Sequence, residues 1–264
     1  MKILAIISSH RKKGTTSKMV SILKDELESI GRNGQEKVRF ESIFLSDYQI
    51  LRCKGCRLCF DHGEENCPLK DDVLKIRNKI KDADGIIFAG PVYVGDVDST
   101  MKGLIDRLAF ICHRPELYDK IGLIICTTGG TTTGHTINTI KGALYSWGIC
   151  IAGSKGFATP VHASREELSI KYIKNIKRLA DKVYIGIKKK KYLNPSIFRI
   201  ALFKLRQKYW RKTDPNTCDY NYYEKQGWID THKTYYFEHQ ANMLKIVFGS
   251  IICKLLDWII VKDN

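Results

Sequence analysis

Apolar and polar positions follow each other in blocks along the first 187 residues. Residues 2–7 are a short apolar run, β-branched in part, which Ser8-Ser9-His10-Arg11 brings to an end. Residues 15–30 then place Met19, Val20, Ile22, Leu23, Leu27 and Ile30 close to a 3.6-residue period, which predicts a helix. Residues 38–45 alternate as a strand does, and 72–80 read as a helix. A buried strand over 85–89 is bounded by Gly90-Pro91, and a helix follows over 99–110. The strand over 121–126 is closed by Gly129-Gly130, the helix over 136–147 and strand over 149–157 come next, and a long helix covers 165–187. Short, almost continuous apolar strands between helices imply a parallel sheet covered on both faces. The pattern therefore predicts a doubly wound α/β domain of five strands, with its ligand beyond the strands' carboxyl ends.

After Lys188-Lys189-Lys190-Lys191 the alternation stops, which divides the chain into 1–187 and an extension over 188–264. Residues 194–212 interleave Ile197, Phe198, Ile200, Phe203 and Trp210 with Arg199, Lys204, Arg206 and Lys208, a basic amphipathic helix. Residues 214–236 are rich in tyrosine around Trp228. Residues 243–261 are strongly apolar, but Lys245, Lys254 and Asp257 interrupt them too often for a spanning helix. Three readings of the extension stand side by side: packing on the core or a second subunit, peripheral docking at a membrane inner face, and nucleic-acid binding. No known nucleic-acid motif supports the third.

Charge sharpens that picture. The chain carries a formal net charge of +16, and residues 188–264 hold 15 Lys and Arg against 7 Asp and Glu, half of the excess. An anionic surface as partner and a merely basic soluble protein are the two readings. The nine cysteines are an odd number and four crowd into 53–67, which suits a reducing compartment better than a disulfide framework. The apolar start ends too early for a secretory signal, so the expected location is cytoplasmic.

The segment from Ser8 to Ser17 joins the first strand to the first helix. A helix start offers unpaired N–H groups, the hydroxyls of Ser9, Thr15, Thr16 and Ser17 add donors, and Arg11 balances negative charge, all of which suits a phosphate. An ordinary Ser/Thr-capped helix start is the alternative. Neither a G-x-G-x-x-G nor a G-x-x-x-x-G-K-[ST] motif is present.

Ser9 to Ser17 resembles the G-S-P-R-x-x-G-N-T-S phosphate loop of the NAD(P)H-dependent FMN reductase and iron–sulfur flavoprotein group, within the flavodoxin-like superfamily. Ser8 stands where that group usually has Gly, His10 where it has Pro, and Thr15 where it has Asn. The resemblance continues in Gly90-Pro91-Val92-Tyr93 and in Met101-Lys102-Gly103-Leu104-Ile105-Asp106-Arg107, covering roughly 1–160. It implies a five-stranded sheet in the order 2-1-3-4-5, bound FMN, NAD(P)H as donor and a homodimer. It also implies that Pro91, Val92, Tyr93 and Val94 flank the flavin ring from one side, and Thr127, Thr128, Gly129 and Gly130 from the other. No catalytic side chain is expected, because the flavin itself carries the chemistry. Asp106-Arg107 reads as a structural ion pair, and His135 as a loop histidine without a redox role.

Cys53-x2-Cys56-x2-Cys59-x7-Cys67, followed by Pro68, is the sharpest local signal. Two consecutive x2 spacings place three thiolates on one tight loop, as a 4Fe-4S cluster requires. A cluster-free thiol loop and zinc are the alternatives. Two functions follow: an FMN-dependent oxidoreductase that passes electrons from NAD(P)H to a quinone, flavin or other small acceptor, or a carrier between protein partners.

Overall fold

The structure, a computed structural model, describes residues 1–130, 132–189 and 194–262. Lys190 and Lys191 of the lysine run lie outside the described residues. The chain divides into two compact units, Met1–Gly55 with Leu69–Lys190, and Cys56–Pro68 with Lys191–Asn264.

In the first unit β1 (Lys2–Ile7), β2 (Arg39–Phe44), β3 (Gly85–Tyr93), β4 (Asp96–Val97), β5 (Ile121–Thr128) and β6 (Cys150–Ala158) form one sheet. Its helices are α1 (Thr15–Asn33), α3 (Val73–Asp82), α4 (Ser99–Arg107), α5 (Gly134–Ser146) and α6 (Arg165–Lys188), while the short α2 (Leu58–Asp61) belongs to the second unit. The strand order is β2-β1-β3-β5-β6, all neighbours parallel. This is the expected order, with one strand more than expected. The extra strand, β4, is a two-residue antiparallel partner of β3.

Alternation along the strands sorts the core into two layers. Ile3, Ala5 and Ile7 of β1, Ile87 and Ala89 of β3, and Leu123 and Ile125 of β5 share a cluster with Met19, Leu23 and Leu27 of α1 and Ile176, Ala180 and Val183 of α6. The intervening Leu4, Ile6, Ile86, Phe88 and Ile124 are equally buried, and the Phe88 ring lies 6.1 Å from that of Trp147, just past α5. Each such side chain contributes about 1.5–3 kcal/mol when fully buried. Strand β3 runs four residues beyond the expected end. Gly90 and Pro91 stay in register with Cys126 and Thr127 of β5, which carries the chain to Tyr93 before it turns.

The second unit holds α2, α7 (Ile197–Trp210), α8 (Cys218–Lys225) and α9 (Met243–Lys262). Its interior is aromatic. The Trp228 ring lies 4.7 Å from Tyr236 and 5.3 Å from Tyr223, and Phe203 of α7 lies 4.8 Å from Tyr236. Gln207, buried, donates to the carbonyls of Trp228, Asp230 and Lys233 at 2.8–3.2 Å and so holds that loop against α7. The tyrosine-rich segment thus turns Tyr223, Tyr235 and Tyr236 inward instead of displaying them. Among the described residues no helix is long and apolar enough to cross a membrane.

Candidate functional site

The strand order reverses between β1 and β3, so the loops leaving these strands diverge and open a crevice at their carboxyl ends. The loop after β1 enters α1 through a tight turn in which the Gly14 N–H donates to the Arg11 carbonyl at 2.8 Å. A Cβ on Gly14 would stand 2.9 Å from that carbonyl, so the turn needs glycine here. Gly14 is also the N-cap of α1, and no side chain caps this helix or puts an acid in its first turn. Asp98 caps α4, the Ser164–Glu167 capping box closes α6, and Ser196 and Thr217 cap α7 and α8, whereas α3 and α5, like α1, have no side-chain cap. The helix start that faces the crevice is left for an anion.

Hydroxyls surround that start. Ser8, Ser9, Thr15 and Thr16 are buried, as are Thr127, Thr128 and Thr159 on the neighbouring strand ends, and Thr16 Oγ1 lies 2.6 Å from Thr127 Oγ1. Lys12 is engaged by Asp47 at 2.7 Å and lies over the Phe44 ring, and Lys18 donates to the Ala163 carbonyl at 2.8 Å. Among the described residues the Arg11 guanidinium has no such partner. Ser8 Oγ donates to the buried Asp98, and His10 Nε2 meets Thr100 Oγ1 at 2.9 Å, so both tie the loop to α4.

A second wall comes from the β3–β4 hairpin, whose two-residue turn is Val94-Gly95 with φ of +50° and +80°. Positive φ at both central residues is what a type I′ hairpin turn demands, and a β-branched residue accepts it at a cost. Thr139 Oγ1 donates to Asp96 at 2.8 Å, His135 Nε2 lies 3.3 Å from the same carboxylate, and Thr136 Oγ1 donates to the Gly95 carbonyl. The hairpin is thereby latched to the start of α5. Burial tends to raise the Asp96 carboxyl, but Thr139, the Val97 N–H and His135 outweigh it and hold it below the usual carboxylate range. His135 therefore serves as a strap on this hairpin.

Between the walls lies a cavity of about 200 Å³. Ser9, Arg11, Thr15 and Thr16 line it from one loop, Pro91, Val92 and Tyr93 from another, and Thr127, Thr128 and Gly129 from the third. Ser17, Val94 and Gly130 stand outside the lining: Ser17 turns back to the Arg11 carbonyl, Val94 points into solvent at the hairpin tip, and the Gly130 N–H is taken by Thr128. Thr159 and Val161 complete the lining and were not anticipated. They follow β6, whose carboxyl end reaches the same rim, and that placement was the available signal. A larger hollow of about 520 Å³ runs along β2, away from the β1–β3 crevice.

The cysteine loop is pinned at its neck. Arg107 pairs with Asp71 and donates to the Leu51 carbonyl at 3.0 Å, while Asp71 accepts the Leu51 N–H at 2.8 Å. Gln49 and Asp72 bond each other through N–H groups at 2.9 Å, directly beside this pair. The expected Asp106–Arg107 pair is not formed. Adjacent helical positions point apart, so Arg107 turns inward to Asp71 and Asp106 pairs with Lys102 on the surface. Cys53 and Cys56 are exposed, Cys59 and Cys67 half-buried. Among the described residues no three His, Cys, Asp or Glu side chains converge on a point that could hold a metal ion. The four thiols are chemically suited to iron.

Known proteins resemble this chain in sequence and fold. The family model for NADPH-dependent FMN reductase matches residues 1–160. An iron–sulfur flavoprotein of Archaeoglobus fulgidus is 30% identical over 236 residues, covering 87% of this chain and 100% of the relative. A match of that length runs past residue 187, so the likeness reaches into the extension. An iron–sulfur flavoprotein of Methanosarcina thermophila is 32% identical over 148 residues, 56% of this chain and 72% of the relative. Among solved structures, RosB with bound 8-demethyl-8-formylriboflavin-5′-phosphate superposes with a TM-score of 0.58 at 14% identity, over 81% of this chain and 88% of that one, which establishes a shared fold. With more than half of its length matched by the family model, this chain belongs to the NADPH-dependent FMN reductase family and is an NAD(P)H-dependent FMN oxidoreductase.

Proposed function

We propose that the crevice between the loops after β1, β3 and β5 is the FMN site of this oxidoreductase, with the phosphate over the start of α1. The carrying observation is convergence: ten residues from three separated loops, each picked out from the sequence alone, line one cavity. The donor set fits a phosphate monoester, since it combines an uncapped helix start, buried hydroxyls and the Arg11 guanidinium. A cavity of about 200 Å³ lies below the roughly 300–1,000 Å³ of pockets that enclose a ligand, so FMN would be held at an open rim. Tyr93, 56% exposed, offers a ring face at that rim.

FMN, once bound, would supply the redox chemistry, with NAD(P)H as donor. The chain's own residues bind and orient: Ser9, Arg11, Thr15 and Thr16 at the phosphate, Pro91, Val92, Tyr93, Thr127, Thr128 and Gly129 at the ring. The acceptor is a small molecule such as a quinone or a free flavin, which an open rim admits without a lid, and the working form is a homodimer. The names of the relatives and the C-x2-C-x2-C-x7-C run support a 4Fe-4S cluster on Cys53, Cys56, Cys59 and Cys67. Anaerobic purification followed by flavin, iron and acid-labile sulfide determination tests both assignments. One FMN per chain, with four iron and four sulfide where a single cluster is held, is expected. Brisk NADPH oxidation with a quinone acceptor supports the enzyme. A colourless protein that neither binds FMN nor oxidises NADPH would sink the reading.

A further inference from the structure

Helix α9 presents an outward stripe of Leu244, Phe248, Ile251, Leu255 and Trp258, spaced by three and four residues and between 47% and 67% exposed. A continuous exposed apolar face of this kind marks a surface that meets something other than water. The opposite side of α9 is occupied, because Gly249 packs on Ile197 and Ile200 of α7 and Asp257 pairs with Lys208. Helix α7 therefore runs beside α9 in the same direction, on the side away from the stripe. Lys254, exposed, lies at the margin of the stripe.

We propose that this face of α9 docks flat on an anionic bilayer surface, apolar side chains in the acyl boundary and Lys245 and Lys254, at the margins of the stripe, among the headgroups. Charge complementarity selects this occupant. Residues 188–264 carry 15 Lys and Arg against 7 Asp and Glu within a chain of net charge +16. Two copies meeting through this face would bring two such charges together, whereas an anionic lipid surface neutralises one. The helix lies in the plane instead of crossing it, because Lys245, Lys254 and Asp257 break its apolar length and leave it too polar to cross a membrane.

The test uses the full-length flavin-loaded protein and vesicles of phosphatidylcholine, alone or with one third phosphatidylglycerol. Binding to the anionic vesicles is expected to exceed binding to the neutral ones by at least about tenfold, the effect of two or three lysines near the surface. It should fall steeply between about 0.1 M and 1 M salt as the Debye length shrinks from about 10 Å to 3 Å. Trp258 is the exposed tryptophan, Trp147, Trp210 and Trp228 being buried, so brominated lipid should quench a fluorescence component that Trp258→Phe removes. Phe248→Gln with Leu255→Gln should weaken vesicle binding about tenfold without altering flavin content. Equal binding to neutral and anionic vesicles, or no binding and no quenching by wild-type protein, overturns the proposal. A concentration-dependent dimer that the double variant loses, with no vesicle binding, assigns the face to a second copy instead.

Discussion

The two units treat apolar side chains in opposite ways. In the first, every residue of β5 is buried, and of the exposed large apolar side chains Tyr93, Val94 and Val161 gather at or beside one cavity, while Leu51, Tyr145 and Ile170 stand singly elsewhere. In the second, aromatic rings close on Trp228 at one side of α7, while α9 leaves a stripe bare along most of its length. An exposed Leu or Val carries little information alone, because more than half of any folded surface is apolar. Exposure becomes informative where it gathers at a cavity, or where it is continuous along one face. The first case marks the proposed flavin rim, and the second the proposed docking surface.

The largest effect should come from breaking the closed unit at the neck of the cysteine loop. Arg107 and Asp71 have side chains only 5% and 2% exposed, so Arg107→Ala strands a buried carboxylate. A loss of about 3–5 kcal/mol in unfolding free energy is expected from urea titration. Next comes Arg11→Ala, which removes the guanidinium at the helix start. FMN affinity, read by flavin fluorescence quenching, should fall about 10- to 100-fold, the equivalent of one charge-assisted bond of about 1.5–3 kcal/mol.

Val94→Asn sharpens the contrast between strain and closure. Asn accepts the positive φ that Val94 holds at +50°, so thermal stability should rise by about 1 kcal/mol. If Val94 also touches the flavin ring, FMN affinity should fall several-fold in the same variant. A smaller, pH-dependent effect follows from Asp96. Its carboxyl is held below the ordinary value of about 4, so the stability it adds is fully present above that value and is lost as pH falls through the lowered one. The stability difference between wild type and Asp96→Asn should shrink on acidification from pH about 6 to about 3. Leu255→Gln on the open face should move stability least, within about 0.5 kcal/mol by thermal melting.

The sheet was legible because its strands are short apolar runs whose period admits no other element at that length. The three loops were legible because their composition is unlike that of a simple connection: hydroxyls and a lone arginine after β1, Gly-Pro after β3, paired glycines after β5. What escaped was whatever depends on distance through space. Thr159 and Val161 look like an ordinary Thr-Pro-Val turn until β6 is seen to end at the same rim. The latch of Asp96 by Thr139 and His135 joins residues about forty positions apart. Asp106 and Arg107 are neighbours along the chain, and only the helix shows that they face different ways. Residues 214–236 gave composition without direction, and only the packing around Trp228 shows that their rings turn inward.

The phosphate at the start of α1 is the central claim, and paired titrations of the flavin-free protein with FMN and with riboflavin test it most directly. The two ligands share the ring and differ in the phosphate alone. The account predicts one saturable FMN site per chain and riboflavin at least about tenfold weaker, a gap that narrows in Arg11→Ala. Riboflavin binding as tightly as FMN would contradict it.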